Sequence, residues 1–179
     1  HGRLASVRSD HVRGSAIAVN HLQGLGHRTI AICLRENSPT APQLIDGFHV
    51  AMQRAGHARD DSMVRAMSRA QNDPQAHREL VDGILNWCAE SEVTAVVVHT
   101  DEDALQFVSA CLERQIRVPE HFAIVSYDAE IAALGAVPLT PVHAIATAAQ
   151  PNSACPDVIT TFAVPVVGFA SPNAATRLP

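Results

Sequence analysis

The chain has 179 residues, 47% of them apolar and 4% aromatic, and carries a formal net charge of -5 at pH 7. That length accommodates one α/β domain with a real core, or two small ones. The acidic balance lacks the basic footprint of a nucleic-acid binder, and no apolar run reaches the ~18 residues of a membrane span, so direct contact with either partner is not expected.

The opening residues, HGRLASVRSD, contain neither an initiator Met nor an apolar signal core, which predicts a piece of a longer protein. Ser9 or Asp10 can cap a first helix whose apolar positions include Val12, Ala16, Val19 and Leu22, with Gly26 suited to its end. Thr29 to Leu34 reads as a strand, and the polar, Pro-bearing stretch Arg35 to Pro42 as a loop at its carboxyl end. Leu44, Phe48, Ala51 and Ala55 mark a second helix closed by Gly56, and Met63 to Met67 is a candidate strand. Asp73-Pro74 is a cap followed by Pro at the first helical position; the helix it opens places Leu80, Ile84 and Trp87 on one face.

Val93 to Asp128 organises the rest. Val93 to His99 is β-branched and apolar, as a strand buried on both faces requires. Thr100 or Asp101 can cap the next helix, and Glu102 and Asp103 place negative charge in its first turn, where the helix dipole favours it. Ala104, Val108, Cys111 and Gln115 form one stripe of that helix, with Leu105, Phe107 and Leu112 beside it. Pro119 ends anything helical before a second strand, Phe122 to Tyr127. Strand, crossover helix and strand make a βαβ unit in a parallel sheet, whose carboxyl edge is where such sheets bind ligands. Glu130 to Leu134 then predicts a helical turn, and Pro138-Leu139-Thr140 leads away.

Five segments, NHLQGLGHRTIAI, DGFHVAMQRAG, AVVVHTDEDAL, RVPEHFAIVSYDAE and VPLTPV, resemble the effector-binding core of the lactose-repressor/galactose-repressor family of bacterial transcription regulators, in the same order and at similar spacing. The likeness covers about His11 to Val142. It implies an α/β fold with a mainly parallel sheet and helices on both faces, one lobe of a periplasmic-binding-protein-like fold. It further implies a partial second lobe at residues 1–142 and a divergent tail at 143–179. The function so implied is effector binding for a cytoplasmic, ligand-responsive regulator that takes a small molecule, such as a sugar or nucleoside. Such a regulator forms a homodimer with the helix Glu102 to Ile116 near the interface. It reaches DNA through an N-terminal domain outside this chain and needs no cofactor. Periplasmic solute-binding proteins of transporters share the fold and form the alternative. A small α/β enzyme is a third reading, resting only on Asp101 and Asp128 at strand ends.

The resemblance also names candidate ligand residues. Asp128 matches the family's tyrosine-aspartate pattern, whose carboxylate accepts hydrogen bonds from ligand hydroxyls; alternatively it caps the following turn. Asp101 matches the aspartate of an asparagine-aspartate pair, with Thr100 in place of the asparagine; a helix cap competes with a ligand role. His99 faces either the cleft or the sheet. Leu44 stands where the family often carries an arginine, and Ala144 near where it often carries a glutamine, so much of the polar grip is absent.

Other chemistry has little support. Neighbouring carboxylates on a helix diverge by about 100°, so Asp101, Glu102 and Asp103 suit a helix start better than a metal site. The ten histidines form no HExxH motif, and GxSxG, GxGxxG and P-loop patterns are missing. Cys33, Cys88, Cys111 and Cys155 form no CxxC pair and read as buried free thiols of a reducing compartment. After Val142 the chain has no Lys, one Arg and one acid, without the amphipathic charged helix of the related regulators; it is either a divergent ending or a product of a shifted reading frame.

Overall fold

The computed structural model describes residues 6–68, 73–128, 140–141 and 146–149. In chain order the elements are β1 (Ser6–Ser9), α1 (His11–Gly24), β2 (Ile30–Arg35), α2 (Ala41–Arg54), a 3-10 turn (Asp61–Met63), β3 (Val64–Met67) and α3 (Pro74–Glu90). There follow β4 (Ala95–Val98), α4 (Asp101–Glu113), β5 (Ala123–Ser126), β6 (Thr140–Pro141) and β7 (Ala146–Ala149). The expected turn at Glu130 to Leu134 and the fourth cysteine, Cys155, lie outside the described residues.

Five strands form one sheet in the order β3-β2-β4-β5-β6, and every neighbouring pair is parallel. Cys33 stands opposite Val98, and Val98 opposite Ser126, so β4 and β5 end level with each other and β2 runs on to Arg35 beside them. The chain passes from β2 to β3 on one side and from β3 back past β2 to β4 on the other. That reversal opens a crevice beyond the carboxyl ends of β2 and β4.

Both faces are covered, which explains why the central strands are apolar throughout rather than alternating. Ile30, Ile32, Leu34, Val97 and Val125 pack with Val19, Leu22, Leu44 and Phe48 of α1 and α2. Cys33, Val96, Val98 and Ile124 pack with Val81, Leu85, Phe107 and Cys111 of α3 and α4. Cys33, Cys88 and Cys111 are free and buried, and burial pushes the Cys88 and Cys111 thiols up to about 12.

Helix starts follow the sequence closely. Asp10 accepts from Arg13 N at 2.9 Å, and Asp73 accepts from Gln75 N and Ala76 N ahead of Pro74. Gly26 and Gly56 stand at positive φ just beyond α1 and α2. The next amides, His27 N and His57 N, reach back to the carbonyls of Leu22 and Met52. The same reach-back ends α4 without a glycine: Gln115 has φ 59° and Ile116 N donates to Cys111 O at 2.8 Å. Gln115 is therefore an exposed residue past the helix end, not a member of its stripe. Leu112, expected beside the apolar stripe, is 53% exposed, because α4 turns Ala104, Phe107, Val108 and Cys111 to the sheet. On α3 the buried face is Val81, Ile84, Leu85 and Cys88; Leu80 and Trp87 are only partly buried at its margin, and Arg65 lies 3.7 Å over the Trp87 ring.

β1 and β7 form a separate antiparallel ribbon, with Ser6 opposite Ala149 and Ser9 opposite Ala146. The segments SVRS and ATAA lack apolar alternation, so neither was legible as a strand.

Candidate functional site

Side chains from β2, β4, β5 and the helices beginning beside them meet at the carboxyl edge. His99, directly after β4, is 8% exposed. Its Nδ1 accepts from the backbone N–H of Arg35 at 3.3 Å, and its Nε2 lies 3.2 Å from Thr40 Oγ1. Burial lowers the His99 pKa and the Arg35 charge pushes the same way, against Asp103. Tyr127, directly after β5, is 3% exposed, and its ring meets that of His99 edge-on at 6.5 Å. The Tyr127 hydroxyl lies 2.9 Å from His11 Nδ1 at the start of α1. Burial, with the nearby charges of Asp128 and Asp10, pushes this phenol up to about 12, so it is neutral at physiological pH. Gly14 makes room for it: a Cβ there would stand 2.8 Å from the hydroxyl oxygen.

A charged group lies alongside. Arg35 donates through Nε to Asp103 at 3.0 Å and through NH2 to Glu102 at 2.6 Å. Asp103 is 3% exposed; it also accepts from Thr100 Oγ1 at 2.7 Å and has His77 Nε2 at 3.5 Å. The acidic first turn of α4 thus serves to hold Arg35 as well as to complement the helix dipole.

The structure separates the sequence candidates. Thr100 is the cap of α4, accepting from Asp103 N at 3.3 Å. Asp101 is the first helical residue, 2% exposed, and accepts from Ser126 Oγ, which ties the end of β5 to the start of α4. Asp128 is partly buried beside Tyr127, and its carbonyl oxygen lies 3.1 Å from Ser126 Oγ, whose one proton goes to Asp101. His99, Thr100, Asp101 and Asp128 therefore share one edge. Leu44 lies apart, 1% exposed in the core with α1, where its carbonyl accepts from Ser15 Oγ at 2.7 Å. Ala144 lies outside the described residues. His11, Arg35, Thr40, Asp103, Ser126 and Tyr127 were not singled out as site residues. Their shared signal was position: most stand at a strand's carboxyl end or in the first turn of the helix beside it.

Among the described residues no helix is long and apolar enough to cross a membrane, and no group of three or more His, Cys, Asp or Glu could hold a metal. The family profile described as a periplasmic binding protein-like domain matches residues 19–149. The chain is 32% identical over 145 residues to the HTH-type transcriptional regulator DegA of Bacillus subtilis, covering 79% of this chain and 39% of that protein. It is 33% identical over 132 residues to the HTH-type transcriptional repressor PurR of Haemophilus influenzae, covering 73% and 38%. A crystal structure of a LacI-family sugar-binding transcriptional regulator from Escherichia coli, complexed with phosphate, superposes with a TM-score of 0.63 at 26% identity, over 74% of this chain and 47% of that one. The chain thus spans about two-fifths of the curated relatives named here. The relatives are regulators rather than transport proteins or enzymes, and the parallel sheet with helices on both faces is the one the five sequence segments led us to expect. On this likeness, which runs through the whole described sheet, the chain belongs to the lactose-repressor/galactose-repressor family of transcription regulators, as an effector-binding, periplasmic-binding-protein-like domain.

Proposed function

We propose that this chain forms one wall of an effector cleft in a cytoplasmic regulator, and that the effector is a small hydroxyl-bearing molecule such as a sugar or nucleoside. The observation that carries this is the convergence of His99, Thr100 and Asp128 at the carboxyl edge, beside the crevice where the strand order reverses. Asp128 accepts ligand hydroxyls, and His99 and Tyr127 shape the wall beneath them. Asp101 acts mainly by tying α4 to β5, Thr100 by capping α4, and Leu44 by packing behind the wall. The lobe occupies residues 1–142, with 143–179 as a tail beyond it, four of whose residues pair with β1. No cofactor takes part. Control is a population shift: the effector binds one arrangement of two lobes better than another, and the change reaches DNA through an N-terminal domain outside this chain.

A single wall loses the contacts of the opposing lobe. Isothermal titration of this chain against a panel of sugars and nucleosides is therefore expected to show binding weaker than micromolar. A two-lobed form of the regulator is expected to bind its effector, with Asp128→Ala weakening it at least tenfold, as loss of a charged hydrogen-bond acceptor of about 1.5–3 kcal/mol predicts. Micromolar binding by the single lobe, or an unaffected Asp128→Ala form, would remove Asp128 and the half-cleft from the account.

The regulator also acts as a homodimer through α4. In support, Leu112 is the one large hydrophobic residue exposed among the described residues, and it lies on that helix. Leu112→Glu is expected to shift sedimentation toward monomer while leaving thermal stability within about 0.5 kcal/mol, as a surface change should. An unchanged sedimentation profile, with the parent dimeric, would place the interface elsewhere.

A further inference from the structure

The loop from β2 to α2, residues 36–40, borders the crevice and is held at both ends by one ring. Its entry is the backbone N–H of Arg35, and its exit is the Thr40 hydroxyl at the start of α2. A backbone N–H can only donate, so His99 Nδ1 must be bare. Nε2 then carries the proton and donates to Thr40 Oγ1, which leaves the Thr40 hydroxyl to pair with Ser38 Oγ at 2.9 Å. Only one of the three protonation forms of the imidazole satisfies this chain. The Nδ1–H tautomer and the imidazolium both set a proton against the Arg35 N–H.

We propose that His99 is a positioning residue of the effector edge, a clamp that closes the β2–α2 loop in its neutral Nε2–H form and releases it on protonation. The groups facing the ring define its setting. Arg35 comes from β2, Thr40 from the start of α2, His11 from α1, Asp103 from α4 and Tyr127 from β5. Asp103 is the carboxylate that would favour an imidazolium, and it is engaged by Arg35, Thr100 and His77. Burial, then the charges of Arg35 and His11, disfavour the cation, so the His99 pKa lies below its ordinary 6.5. The sign follows: the clamp is fully formed above pH 6.5 and is lost as pH falls through the lower folded value. The neighbouring amides are taken in the sheet, Glu36 N by Met67 O and His99 N by Cys33 O, and the Arg35 amide meets the His99 ring just past the end of β4. Its exchange with solvent therefore reads the clamp directly.

That this loop frames an effector rests on the function proposed above; the clamp itself is read without any ligand. The test is amide hydrogen exchange by NMR on the 179-residue chain, corrected for intrinsic rates, between pH 7.5 and 5.0. Protection of the Arg35 amide is expected to fall at least tenfold, while amides inside β4 and β5 hold theirs. Those strands serve as the global control, because burial lowers the pKa of the half-buried His21 and His27 as well, and their protonation favours the unfolded chain over the same pH range. In His99→Asn, whose side-chain oxygen can accept from Arg35 N without titrating, the protection is expected to stay flat. Constant protection in the parent chain, or an equal fall in His99→Asn, would overturn the proposal. Should the variant fail to fold, the ring nitrogens of the parent chain decide: a long-range nitrogen-15 spectrum showing the Nδ1–H tautomer at pH 7.5 overturns it, and the Nε2–H tautomer supports it. Effector titration failing while this exchange result stands would strike only the functional reading.

Discussion

Replacing Phe107 by alanine is expected to remove about 3–5 kcal/mol of stability, the range for truncating a fully buried aromatic side chain. Phe107 has no exposed surface and sits on the buried face of α4, in the cluster that joins α3 and α4 to Val96, Val98, Phe122 and Ile124. The gap cannot close easily, because Val96, Val98 and Ile124 belong to strands paired on both sides. Urea denaturation would show a lower midpoint at an unchanged slope. A loss below about 1 kcal/mol would mean that the cluster repacks, against the usual behaviour of such cores.

Gly47→Ala is expected to destabilise by about 2–3 kcal/mol, toward the upper end for overpacking. Ordinarily an alanine in a helix interior gains roughly 0.5–1 kcal/mol over glycine. Here its Cβ would stand 2.1 Å from the carbonyl oxygen of Val12 and 2.9 Å from Ser15 Cβ. Those atoms are the body of α1, not the end of a flexible side chain, so the two helices must part. Parting them also strains the Ser15 hydroxyl bond to Leu44 O. Gly83, mid-way along α3, is the internal control: a Cβ there meets nothing within 4 Å, so Gly83→Ala should show the ordinary gain. Equal effects at both positions would refute the close helix contact.

The two glycines show where sequence reading stops. Both sit inside helical patterns, and nothing local tells a site of close contact from an open one. The helix ends divide in the same way. Gly26 and Gly56 announced theirs, because glycine favours positive φ, whereas Gln115 adopts it at the end of α4 with no sequence cue. Leu112 was placed beside the buried stripe by periodicity, yet the rotation of α4 against the sheet leaves it outside. The site was partly legible. His99, Thr100, Asp101 and Asp128 were found because the ends of apolar strands mark the binding edge. Arg35, Thr40 and Tyr127 went unassigned because their roles depend on partners between 59 and 116 residues distant for the bonds to Thr40 and Tyr127, and 68 for the bond from Arg35 to Asp103.

By itself, then, the sequence determined the alternation of strand and helix, the parallel sheet, the caps at Asp10 and Asp73 and the edge on which to look for a ligand. Each of these follows from local propensity or from the period of apolar residues, which short-range sterics and burial impose. Tertiary structure alone decided the strand order, the approach of α1 to α2 at Gly47, the β1–β7 ribbon and the clamp of His99 on Arg35 and Thr40. These are meetings between segments far apart in the chain, and their energy comes from packing and hydrogen bonds that exist only once the sheet has brought the segments together.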